Sequence, residues 1–82
     1  MRKPTQSKDG RWSPQLIRVG DRRTTVRLEP IVWESLHDIA RYYGISTAEL
    51  IERIDRLRPE GDNLSSAIRV YVIKFYRAAS RL

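Results

Sequence analysis

Arg23, Thr25 and Arg27 stand two residues apart, and Thr24, Val26 and Leu28 alternate with them. Period two is the signature of a strand, so the three polar side chains share one face and the apolar set takes the other. Arginine can donate two hydrogen bonds to O6 and N7 of guanine, and threonine can bond a base edge or meet a thymine methyl group. A face of this kind has the chemistry to read duplex DNA. The competing reading is an exposed strand whose charges discourage edge-to-edge aggregation.

A strand over about 23–28 needs a partner, because everything after Pro30 reads as helix and a lone strand leaves a row of N–H and C=O groups unpaired. A second copy of the chain is the first supplier to consider. The expected fold is then mainly α with one short β-strand, paired antiparallel across an intertwined homodimer into a two-stranded ribbon that fits the major groove. A rival supplier is local. Gln15–Val19 can form a strand, and Gly20-Asp21 suits a two-residue hairpin turn of type II′, which would pair the strand within one chain and take away the main support for a groove-reading ribbon shared by two copies.

Three helices must hold that strand. Pro30 suits a first helical position, Glu29 stands as N-cap, and Leu28 with Trp33 can form a hydrophobic staple. Apolar positions from Val32 to Tyr43 follow helical spacing, and Gly44 ends the segment, predicting a helix over about 30–43. Ser46-Thr47-Ala48-Glu49 fits a capping box and predicts a second helix over about 46–58, stopped by Pro59. Asp62 or Asn63 caps a third over about 63–79. Its apolar surface (Val70, Ile73 and Tyr76 beyond the core stripe) is wider than a surface helix needs, which points to cover by a partner.

The chain has 82 residues and a net charge of +6. Residues 1–23 carry seven basic side chains against two acidic ones, whereas the rest is nearly neutral. The excess sits on Lys3, Lys8, Arg18, Arg22 and their neighbours, and it suits a polyanion such as nucleic acid. A solubilising tail is the alternative. Residues 1–15 read as a flexible basic arm, and 16–82 as the folded domain.

Composition excludes several chemistries. The absence of cysteine removes disulfides and thiolate sites. His37 is the single histidine, and it stands without a cluster of ligands at metal spacing. Glu34, Asp38, Glu49, Glu52 and Asp55 lie at helical spacings among bases, as solvated faces do. Ser65 and Ser66 lack triad partners. No apolar run spans a bilayer. The expectation is a cytoplasmic protein that is not an enzyme and needs no cofactor or metal.

The strand Arg23–Pro30, the turn and helix start from Tyr43 to Ile51, and the segment Asn63–Val72 together resemble the ribbon-helix-helix DNA-binding proteins, in a small bacterial branch with an additional C-terminal helix. The resemblance implies a homodimer on double-stranded DNA, a transcription regulator or repressor, with Arg23, Thr25 and Arg27 toward the bases. It also implies a phosphate held at the N-terminus of the family's second helix, here Ser46 and Thr47, although the helix capped at Asn63 could be aligned there instead. Arg18, Arg22, Lys3 and Lys8 would add phosphate contacts. A second function remains in view: an antitoxin-like or adaptor subunit that binds a protein partner through its third helix.

Overall fold

The structure, a computed structural model, describes residues 13–81. Strands β1 (Ser13–Val19) and β2 (Arg22–Leu28) are followed by helices α1 (Pro30–Tyr43), α2 (Thr47–Leu57) and α3 (Leu64–Ala79). The two strands form an antiparallel hairpin within one chain, with Ser13 opposite Leu28 and Val19 opposite Arg22.

That pairing corrects the lone-strand expectation and its intersubunit ribbon. The reason lies in two local features. Gly20 supplies a φ of 64°, and among the described residues no non-glycine residue has positive φ, which fits a type II′ turn. Val19 and Ile17 meanwhile present an apolar face on the same side as Val26 and Leu28, so the hairpin buries both strands at once. Pro14 sits opposite Arg27 at a position where β1 donates no bond across the ladder, so its missing N–H costs nothing there. β1 begins at Ser13, taking in residues that read as arm in the sequence. Lys3 and Lys8 lie outside the described residues.

The helices start and stop where their sequence signals stand. Gly44 adopts the left-handed conformation at φ 73°, and Ile45 and Gly44 N–H groups bond the carbonyls of Ala40 and Arg41. These two bonds make a Schellman ending for α1. Ser46 Oγ accepts from the Glu49 N–H at 3.0 Å, and Asn63 Oδ1 accepts from the Ser66 N–H at 3.1 Å, so α2 and α3 are both capped. Glu29 occupies the N-cap of α1 without a capping side-chain bond.

The inner face of the hairpin packs on the three helices. Val26, Leu28, Leu36, Ile39, Ile51 and Ile68 are almost wholly removed from solvent, drawing on every element except β1; Val19 adds β1 to the same core. Burying side chains of this size stabilises the fold by about 1.5–3 kcal/mol each. Helix α2 lies against β1 and α3 against β2.

Candidate nucleic-acid interface

The outer face of the hairpin carries Arg23, Thr25 and Arg27 from β2, all exposed. The register sets Arg18 opposite Arg23, Leu16 opposite Thr25 and Pro14 opposite Arg27, and directly opposed residues share a face. Three arginines therefore surround Thr25 and Leu16 on one two-stranded surface. Leu16 is 62% exposed, and nothing in its local sequence marks it as part of this face. Its period-two position does so once β1 is recognised as a strand.

In this register Arg23, Thr25 and Arg27 turn their N–H and C=O groups away from β1. At Arg27 those groups are taken by α3. The Arg27 N–H donates to Ser65 Oγ at 3.2 Å, and Arg69 Nη2 donates to the Arg27 carbonyl at 3.1 Å. Arg69 Nε also donates to Glu29 Oε1 at 3.0 Å. The carboxyl of Glu29 is held below its ordinary pKa, first by its own backbone N–H and then by the Arg69 guanidinium. The corresponding backbone groups of Arg23 and Thr25 find no partner among the described residues.

Arg22 points the other way. Its Nη2 donates to Asp55 Oδ2 at 2.9 Å, and Arg58 Nε donates to the second oxygen of the same carboxylate at 2.7 Å. Partial burial pushes the Asp55 carboxyl up, yet the hydrogen bonds from Arg58 and Arg22 outweigh it and leave the pKa lowered. Of the arginines expected near phosphate, Arg18 is thus exposed on the outer face, whereas Arg22 is tied to α2.

The two capped helices differ in what their starts touch. Ser46 and Thr47 open α2, with Thr47 Oγ1 against His37 Nδ1 of α1 at 2.5 Å. The first-turn N–H groups of a helix have no intrahelical acceptor, so an anion is favoured there by geometry and dipole. The start of α3 is the one that touches β2, through Ser65. Nothing local in the sequence links Ser65 and Arg69 to a strand residue 38 or 42 positions away.

Among the described residues no group of three His, Asp or Glu side chains gathers as a metal site, and no helix is long and apolar enough to cross a membrane. No curated protein and no solved structure matches the chain. A model of the ribbon-helix-helix domain matches residues 14–76, which takes in both strands and nearly all of the three helices. Members of that family are in general DNA-binding regulators that act as dimers, and its domains are typically not enzymes. With a match over most of its length, this chain belongs to the ribbon-helix-helix domain family.

Proposed function

We propose that the protein binds double-stranded DNA sequence-specifically, as a dimer, with the outer face of its hairpin in the major groove. The observation that carries this reading is the exposed ribbon on which Arg23, Thr25 and Arg27 stand beside Arg18. A two-stranded β-ribbon is one of the shapes the major groove admits. Here a single chain supplies the whole ribbon. Arg23 and Arg27 would pair with guanines and Thr25 would contact a base edge, with exposed Leu16 placed to meet thymine methyl groups.

Phosphate contacts would fix the register on the duplex without reading sequence. Arg18 on the ribbon, the first-turn amides at Ser46 and Thr47, and Lys3 and Lys8 of the arm are the groups proposed for this. Arg22 can add to them with the part of its guanidinium left over from Asp55, since its side chain is 50% exposed. Occupying an operator in the cytoplasm, at the nucleoid, would make the protein a transcription regulator, a repressor in the simplest case.

Selection of bound sequences from random duplex DNA is the test. One enriched motif is expected, and enrichment of none overturns sequence-specific binding. On the selected site Arg27→Ala should cost about 1–3 kcal/mol and relax base choice at one position. Equal binding by the variant and the original chain would remove Arg27 from the reading set.

A further inference from the structure

Two surfaces lie outside the hairpin and complement each other. Along α3 the residues Val70, Ile73, Lys74 and Arg77 fall on one side at helical spacing, and with Arg81 just past the helix end they line a shallow groove. Val70 and Ile73 are 47% and 57% exposed. From Leu64 to Arg81 there is no aspartate or glutamate. Along α1, Ile31, Glu34, Asp38 and Tyr42 make a second stripe, with Ile31 and Tyr42 at 64% and 73% exposure. Arg41 lies beside Glu34 on the same side of α1 and pairs with Asp38 at 2.8 Å, so Glu34 is the acid of this stripe left without a base among the described residues. One stripe is apolar and carries three bases, and the other is apolar with a net charge of −1 from Glu34, Asp38 and Arg41.

On the reading that the protein acts as two copies, we propose that the acidic stripe of α1 in each copy seats on the basic stripe of α3 in the other. Three observations favour this occupant. The far edge of β2 is closed at Arg27 by Ser65 and Arg69, which shortens the strand edge that another chain could join. Pairing α3 with α3 of a second copy would oppose Lys74 and Arg77 to their equals, which disfavours that arrangement. The two stripes also adjoin: Tyr42 and Phe75 rings meet at 5.6 Å, and Tyr42 and Lys74 line one groove. A two-fold axis between neighbouring stripes lets each copy give and receive once, so the contact closes into a dimer. Exposed apolar groups supply the burial, and the charges set the partner.

The test uses sedimentation equilibrium of the full chain and two charge-reversed variants. Glu34→Lys with Asp38→Lys makes both stripes basic; Lys74→Glu with Arg77→Glu makes both acidic. The original chain should sediment at the mass of two chains, and each variant alone at the mass of one. An equimolar mixture of the variants should return to the two-chain mass, which also shows that both are folded. A monomeric original chain overturns the two-copy reading itself. A dimeric original whose variants stay dimeric leaves that reading standing and overturns the α1–α3 contact. Monomeric variants that fail to combine overturn it as well. Circular dichroism of each variant separates that last result from unfolding.

Discussion

Strand β2 is anchored near both ends by an arginine, and the two anchors run in opposite directions. At the turn, the strand gives up a side chain: Arg22 reaches across to Asp55 of α2. At the other end the helix gives the side chains, and the strand contributes only backbone. Ser65 and Arg69 bond the N–H and C=O of Arg27, and the Arg27 guanidinium takes no part. An anchor that uses the side chain consumes the residue. An anchor that uses the backbone leaves the side chain out of the bond, and so a strand can be held firmly while it displays to solvent an arginine that pairs with none of the described residues. This difference separates Arg27, a reader of bases in the proposed function, from Arg22, a residue largely spent on the fold.

Removing Arg69 should hurt most. It holds both a backbone carbonyl and the Glu29 carboxylate, and a hydrogen bond to a charged group is worth more than a neutral one. With both partners about a third exposed, Arg69→Ala should lower unfolding stability by about 1–2 kcal/mol in urea titration. Arg69→Lys should recover little, because a single ammonium cannot present the two nitrogens the fork uses. Full recovery by lysine would reduce the α3 anchor to charge alone and break the contrast between the two ends.

Arg22→Ala should cost less, about 0.2–1 kcal/mol, since its partner Asp55 keeps Arg58. A loss as large as that of Arg69→Ala would put the two anchors on an equal footing. The smallest effect should come from acid. Glu29 and Asp55 both have folded pKa values below their ordinary 4.5 and 3.8. Groups lowered by folding contribute stability that is complete above the ordinary carboxylate range and is lost as pH falls through the folded values. Melting temperature should therefore hold steady down to the ordinary range and decline below it, with a shallower decline in Asp55→Asn. An Asp55→Asn profile identical to that of the original chain would remove the α2 anchor from the acid response.

Local signals were legible and long-range ones were not. The alternation from Arg23 to Leu28, the Schellman glycine at Gly44 and the caps at Ser46 and Asn63 act over one to five residues, and each gave its element to within a residue or two. The pairing of β2 was harder, because a second chain and a local hairpin both satisfy an open strand edge, and only the turn chemistry of Gly20-Asp21 separates them. The roles of Ser65, Arg69 and Asp55 depend on contacts 33 to 42 residues apart. Their sequence neighbourhoods look like a helix start and helix surfaces, which they also are. The outer face of β2 was read as exposed, and it is; the row opposite, with Arg18 and Leu16, became visible only once β1 was in register.

The closure of β2 by α3 also has a consequence in time. During synthesis the hairpin and α1 emerge before the residues that seal the strand, and a ribosome adding about 5–20 residues per second leaves a gap of about 2–8 seconds before Ser65 and Arg69 follow Arg27. Throughout that interval the nascent chain displays an edge that is open at Arg27 as well as at Arg23 and Thr25. The alternating arginines on that strand then protect it, since charge on an unfinished edge discourages a neighbouring nascent chain from adding to it. The same residues that would meet DNA in the finished protein keep its half-made predecessor soluble.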